Sequence, residues 1–566
     1  MDAFRILLLS NVRPSRAWKL ANRIAREVPG AQICGIAQRP IRQLPLAQQL
    51  IATGSTHRMF THTRRLSKAN LWLHSALERL LDWIIWWVHG CPRNVKGSKV
   101  FTTEKLAEEC VQAGWPFLLA ANAGDPNLSD FIRQQEPGLI IELGEFLASS
   151  QLSVLPSFGL LRVGQDELKN DGTDAREGVQ IRIEHFARDS ESPFTIASLT
   201  VPSQPYDGLL GVTLKTDLIA DDFLVQTAAS LRTGSVVQAS REVSDWIGKI
   251  FSPYLTQLGQ ATDIGRRLPS PKRCRSAWKM CVETLLLCSP WIAGRNWYRR
   301  WRGQYPVLVV AHHLVSDRPH RMGISTETFW RQVRFLQRHY RIVGLCEALQ
   351  LLQSGDVKVP TIALTFDDGY EDNFVGLRGV AEEAGIPITS FVALEPVEMN
   401  REFDHDLGNG IRGFLPLTWE QIRYWNLRGA EFGSHTRTHL DCGSTDRQRL
   451  ATEIVGSRND LENQLGNPVR FFAFPFGKHQ NMSPEALELA ASTYQSFLSW
   501  LGGENLPGSA VNHQHLFRKS LYADLWELEL ELQSVFDLVA KIKRRLHIER
   551  AESGKHLAVR EILRPT

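Results

Sequence analysis

At 566 residues the chain is too long for one ordinary domain, and 43% hydrophobic with 22% charged residues supplies core material for two or three globular ones. A formal net charge of +4 is too near balance for a nucleic-acid-binding protein. Eight cysteines with no C-x-x-C pair exclude a dense disulfide framework and fit a reducing compartment; Cys274, Cys281 and Cys288 are too widely spaced to be ligands and read as small apolar packing residues.

Phe4–Ser10 is an apolar run too short for a signal peptide and reads as a first buried strand. An amphipathic helix over 15–28 and a strand over Gln32–Ala37 follow, which is the opening of a parallel α/β sheet. Residues 39–68 are polar and read as loop and surface helix. Leu71 to Val88 is an apolar helix carrying four tryptophans, broken by Glu78, Arg79 and Asp82, and so a covering helix before a membrane-surface one. No stretch of 18 uninterrupted apolar residues occurs, and no membrane span is expected. A helix over 103–113, a strand over Trp115–Leu119, a helix near 127–134 and a buried strand over Gly138–Gly144 come next.

Pro137-Gly138-Leu139-Ile140-Ile141 followed by Gly159-Leu160-Leu161-Arg162-Val163-Gly164 resembles, in element order, the formyltransferase fold. The resemblance implies an Asn, a His and an Asp at the catalytic positions. Here those positions fall on Arg162, Gly164 and Ser190, so residues 1–250 are expected to form a formyltransferase-like α/β domain without formyl transfer activity. A helical pattern spans Asp221 to Thr233, and Ser235-Val236-Val237 reads as strand.

Residues 251–304 are expected to be a basic, Trp-rich helical linker, marked by Pro253, Pro269, Pro271 and the cluster Lys272, Arg273 and Arg275. Residues 276–289 read as a short helix. Trp291, Trp297 and Trp301 then alternate with Arg295, Arg299, Arg300 and Arg302. This stretch is either a solvated interdomain helix or a basic-aromatic patch touching anionic lipid headgroups.

From Pro306 strands and helices alternate: strands at 306–313, 340–343, 361–364, 388–392, 430–433, 471–474 and 495–499, with helices at 327–338, 374–384, 418–428, 445–465 and 484–491. The strand Thr361–Leu364 runs into Thr365-Phe366-Asp367-Asp368-Gly369-Tyr370. Neighbouring side chains in a strand point to opposite faces, so two adjacent aspartates serve one site only if the strand ends there, and Gly369 permits the turn. Two carboxylates side by side repel unless a cation or shared proton relieves them. His435 and His439 lie four apart, so a helical turn would aim both imidazoles the same way. One Asp and two His make a three-ligand metal site with room for water and substrate. Taken alone, Asp-Asp-Gly is most often a turn and a His pair most often a solvated face.

Together the two motifs resemble the polysaccharide deacetylase (NodB-homology, carbohydrate esterase) family, in which T-F-D-D-G is followed by H-S/T-x-x-H. The first motif is unbroken, and His435, Thr436 and His439 match the second. Residues 305–566 are therefore expected to hold a distorted β/α barrel with its chemistry at the C-terminal ends of the strands. The resemblance implies that Asp368, His435 and His439 hold a divalent metal, with zinc preferred by two imidazoles and a carboxylate, and that Asp367 is the general base. Pro475-Phe476-Gly477 resembles a third motif, R-x-x-P-Y/F-G, and is expected to contact substrate, although the Arg of that motif falls on Phe472. The family's late L-x-H acid has no clear match; His513 and His515 are the candidates, and His515 is taken as the catalytic one.

The expected activity is metal-dependent removal of an N-acyl group, in the first instance acetyl, from amino sugars of a bacterial surface polysaccharide or a lipid-linked precursor. The alternatives are a deformylase of a lipid-linked aminosugar and a non-catalytic carbohydrate-binding or assembly protein. A cytoplasmic location is expected, with peripheral contact at the inner membrane face and polysaccharide synthesis machinery as a partner.

Overall fold

The computed structural model describes residues 4–41, 80–89, 101–122, 124–144, 146–147, 155–169, 176–187, 192–202, 204, 206–251, 253–255, 277–508, 513–522 and 524–538. The expected features at 42–68 and 269–276, and Ser190, lie outside the described residues. The chain divides into two compact units: residues 1–67 with 98–262, and residues 68–97 with 263–566. Residues 68–97, expected in the first domain, thus go with the second unit, and so does most of the expected linker.

The first unit is built on a seven-stranded sheet. Its strands run, in spatial order, Phe117–Leu119, Ala31–Gln38, Phe4–Ser10, Leu139–Leu143, Leu160–Lys169, Arg176–Phe186 and Phe194–Pro202. The first five are mutually parallel, as the alternating strands and helices require, and the last two pair antiparallel. Phe4–Ser10 lies mid-sheet with helices over it, which explains its near-continuous apolar run. At Arg13 and on the helix it caps, Pro14–Glu27, buried arginines meet an acidic stripe of the helix Leu209–Thr233. Arg13 reaches Asp217 at 2.5 Å, Arg16 Nε donates to Asp221 at 2.8 Å, and Arg23 donates to Asp222 at 2.8 Å. Charges so deeply placed require such partners, because an unpaired buried ion is far costlier than a paired one.

Two features are not anticipated here. The antiparallel strands within 160–202 are unforeseen, although Gln180-Ile181-Arg182-Ile183-Glu184 alternates polar and apolar residues with the period of a half-buried strand. Ser235-Val236-Val237 is not strand but the start of the helix Val236–Ile250. Ser235 caps that helix by accepting from the Gln238 amide, and the capping hydrogen bond overrides the β-branched preference.

The second unit is a closed barrel of seven parallel strands: Val307–His312, Thr361–Phe366, Thr389–Val392, Glu431–Ser434, Phe471–Ala473, Ser496–Ser499 and His515–Ser520. The last strand pairs with the first, and the first pairs with Thr361–Phe366, which closes the ring. Arg341–Val343 adds a short flank to the start of Thr361–Phe366. Side chains alternate between the barrel lumen and the surrounding helices. Val307, Val309, Ala363, Phe391, Phe471, Ala473, Leu498 and Leu516 share one buried cluster. Each large member stabilises the barrel by roughly 1.5–3 kcal/mol. The expected helix over 445–465 is present, but Thr452–Gly456 makes one π turn between its α-helical segments.

Candidate active site

The polar side chains of the site stand where the barrel strands end. Strand Thr361–Phe366 stops one residue before the aspartate pair. Asp368 then takes a left-handed backbone with φ 70°, and the Gly369 amide donates to the Asp367 carbonyl at 2.9 Å, closing a γ-turn. This turn is what lets two consecutive carboxylates serve one cavity. Gly369 has φ 84°, and a Cβ there would sit 2.6 Å from Val392 Cγ1, so no other residue fits.

The histidine segment departs from expectation. His435–His439 is a loop after Glu431–Ser434, not a helical turn, with Thr436 and His439 at φ 66° and 58°. Its imidazoles still converge, because the π turn pins the loop. Glu453 Oε2 accepts from the Arg437 and Thr438 amides, both at 2.9 Å, and Glu453 Oε1 accepts from Thr438 Oγ1 at 2.9 Å. A second γ-turn follows strand Phe471–Ala473, where Gly477 N donates to Pro475 O at 2.7 Å around Phe476 at φ 60°. Four of the seven described non-glycine residues with positive φ thus cluster here, each strained by about 1–3 kcal/mol.

His435 Nε2 lies 3.5 Å and His439 Nε2 3.2 Å from Asp368 Oδ1, and the three ligand atoms fall within 4.8 Å of one another. Both Asp368 carboxylate oxygens are buried without a hydrogen-bond partner. His435 Nδ1 faces the Ala473 carbonyl at 2.7 Å, which makes Nδ1 the protonated nitrogen and leaves the Nε2 lone pair directed at the cavity. Burial would raise the Asp368 pKa, but His435 and His439 outweigh it and hold the carboxyl well below the ordinary range. A buried carboxylate with no hydrogen-bond partner, beside the Nε2 atoms of two histidines, is the donor set of a divalent cation site, and these residues fit one.

Asp367 is held apart from this trio. Its Oδ1 accepts from Arg518 Nη1 at 2.6 Å, and both side chains are buried. Burial would again raise its pKa; Arg518 and His435 more than offset this and keep the carboxyl below its ordinary range. Phe472 offers no guanidinium to this carboxylate; Arg518 does. It arrives from the last barrel strand and lies over the rings of Trp500 and Phe391 at 5.5 and 5.7 Å.

Two histidines not expected as site residues face the same cavity. His313, just past strand Val307–His312, stacks on Trp500 with ring centroids 5.0 Å apart. Burial lowers its pKa, and the charges of Asp368 and Asp367 act against that depression. The apolar run before His313 was the only local signal. His405 Nε2 lies 2.8 Å from Tyr370 Oη and 3.6 Å from Asp368 Oδ2, while Tyr370 Oη donates to Asp406 at 2.7 Å. Nothing in the sequence around His405 marks it.

His515 is not brought to the site. Along His515–Ser520, Leu516 joins the lumen cluster and Arg518 reaches Asp367, so with a period of two His515 faces outward. It stands at the start of its strand, 2.7 Å from Ser499 Oγ and stacked on Phe497, and burial pushes its pKa down to about 4. His513, whose Nε2 lies 3.1 Å from the Leu506 carbonyl, precedes the same strand start. Phe476 is half exposed, with its ring 5.0 Å from that of His439; Gly477 leaves room for Trp500, whose amide nitrogen would lie 2.5 Å from a Cβ there. In the first unit, Arg162 Nε donates to buried Glu142 at 2.6 Å, and Gly164 lies in the antiparallel ladder opposite Arg182.

The polysaccharide deacetylase family model matches residues 354–494, and the chain carries a polysaccharide deacetylase domain there. Bacillus subtilis YxkH, described as a polysaccharide deacetylase, is 26% identical over 215 residues, which is 38% of this chain and 68% of that protein. The solved structure of IcaB from Ammonifex degensii is 24% identical, covering 40% of this chain and 97% of IcaB at a TM-score of 0.34. Formyltetrahydrofolate deformylase from Burkholderia mallei is 11% identical, covering 42% of this chain and 69% of that one at a TM-score of 0.25.

Proposed function

We propose that the second unit hydrolyses the N-acetyl group of amino sugars in a glycan or its lipid-linked precursor, with a divalent metal held by Asp368, His435 and His439. The observation that carries this reading is the division of labour between the two aspartates. Asp368 faces the imidazoles with no other partner, whereas Asp367 is ion-paired to Arg518. Two imidazoles and one carboxylate favour zinc. When bound, such a metal polarises the acyl carbonyl and acidifies water. Asp367, kept anionic by Arg518, takes the proton from the attacking water. His313, buried beside both aspartates and stacked on Trp500, gives a proton to the leaving amine. Phe476 offers its backbone N–H to the developing oxyanion and its ring to the sugar.

The reading is tested by incubating the metal-loaded full chain with N-acetyl and N-formyl amino-sugar oligomers and measuring the acid released. Acetate release is expected. Formate without acetate would favour the deformylase, and neither acid from a metal-loaded protein would favour a binding or assembly role. In the same assay His313→Ala should lower turnover by about 10²–10⁴, the usual worth of a general acid. His515→Ala should leave turnover near that of the unsubstituted protein, and the reverse pattern would restore His515 as the acid.

The first unit is read as a scaffold without formyl transfer, which places the hydrolase near the polysaccharide synthesis machinery. Its support is Arg162, which the resemblance puts at the family's Asn position and which is committed to Glu142. N-formylation of an amino sugar from a formyl-folate donor would overturn this.

A further inference from the structure

The helix Pro290–Arg302 is turned inside out relative to an ordinary surface helix. Ser289 caps it by accepting from the Ile292 amide, Pro290 opens it, and Gly303 at φ 65° closes it. Its inward face is largely polar. Asn296 donates to the Val88 carbonyl at 3.0 Å and to Gln533 Oε1 at 2.8 Å, Arg295 donates to the Gln533 carbonyl at 3.2 Å, and Arg299 pairs with Glu504. Ile292 alone of its apolar side chains joins the buried cluster of Ile84, Val88, Leu287, Leu530 and Val535. The outward face carries Trp291, Trp297, Tyr298 and Trp301, which are 70%, 62%, 52% and 70% exposed. Globular helices place apolar residues inward and polar ones outward, so this pattern is unfavourable in water unless something covers it.

We propose that this face binds the surface of a phospholipid bilayer rich in anionic headgroups. Three observations favour a bilayer over a protein. The exposed apolar residues of the helix are the ring systems that settle at the boundary between headgroup and acyl chain, with an apolar body and a polar N–H or O–H edge. The segment carries four arginines and no acidic residue, and Arg300 and Arg302 are exposed beside the rings, where lipid phosphates would meet them. Apolar exposure extends to the neighbouring helices, with Leu285 72% and Trp83 61% exposed. No described helix is long and apolar enough to cross a membrane, so the contact is peripheral. The helix leads through Gly303 and Tyr305 into the start of strand Val307–His312, whereas the catalytic side chains stand at the strand ends. The anchor and the site therefore lie at opposite ends of the barrel, separated by a strand about 20 Å long.

The test is co-sedimentation of the full chain with phosphatidylcholine vesicles made with and without phosphatidylglycerol. Binding is expected to need the anionic lipid and to weaken as salt rises. Arg300→Glu or Arg302→Glu should each lower partitioning at least about fivefold. The triple variant Trp291→Ser, Trp297→Ser, Trp301→Ser should abolish partitioning while metal content and circular dichroism stay unchanged. A further variant, Leu427→Ser, removes an apolar side chain exposed elsewhere and should bind like the unsubstituted protein. Equal sedimentation of the triple variant would overturn the proposal. So would a failure of the unsubstituted protein to bind either vesicle, or its self-association in solution through the same tryptophans without vesicle binding.

Discussion

His435→Ala and His439→Ala are each expected to abolish stoichiometric metal binding, as measured by metal analysis of the purified protein. The expected loss exceeds the 10–100-fold in affinity typical of an outer partner, because these are the ligands themselves. Asp368→Asn should lose the metal as well, but its stability should change in the opposite direction. In the metal-free protein both Asp368 oxygens are buried and unpartnered, a desolvation penalty of about 1–3 kcal/mol. An amide in the same place donates to the imidazole lone pairs of His435 and His439, so metal-free Asp368→Asn should melt above the metal-free unsubstituted protein. Adding metal at about 100 times its Kd should stabilise the unsubstituted protein by about 2.7 kcal/mol and the variant not at all. A variant that binds metal with a thermal shift of its own would remove Asp368 from the ligand set.

Asp367→Asn is expected to retain the metal and to lose turnover by about 10²–10⁴, because it removes the proton acceptor and leaves the ligands in place. Its partner gives the sharper test. Arg518→Met strands a buried carboxylate and should destabilise the protein by about 3–5 kcal/mol. The double variant Asp367→Asn, Arg518→Met removes both charges and should recover most of that loss, as side chains in direct contact do in a double-mutant cycle. Additive destabilisation would mean that Arg518 supports the strand packing and not the charge of Asp367. Full turnover in Asp367→Asn would void its role as base.

The parts of this protein legible in sequence are those whose cause is local. A buried strand, an abrupt glycine turn and two acids are contiguous at Thr361–Gly369, and the histidine pair spans five residues, so the candidate ligand set could be named before any contact was seen. The barrel's alternation was legible as far as Ser496–Ser499, because parallel strands enclosed by helices are written as short apolar runs, but the closing strand His515–Ser520, which carries His515, Arg518 and Lys519, was not. Long-range placement decided the rest. Arg518 lies 151 residues from Asp367 in the chain, and no feature around it announces that barrel closure sets it against that carboxylate. His515 was the better sequence candidate for the acid, yet strand register turns it out of the lumen, while His313 enters the cavity from the first strand. Glu453 orients the histidine loop only because a π turn, invisible in composition, aims its side chain there. In the first unit the antiparallel strands carry the alternating pattern of half-buried strands, but their pairing is set by the sheet they join, and Ser235 redirects a β-branched pair into a helix. Sequence determines what one segment can form by itself. Which side chains meet across the barrel depends on register and closure, which belong to the whole chain.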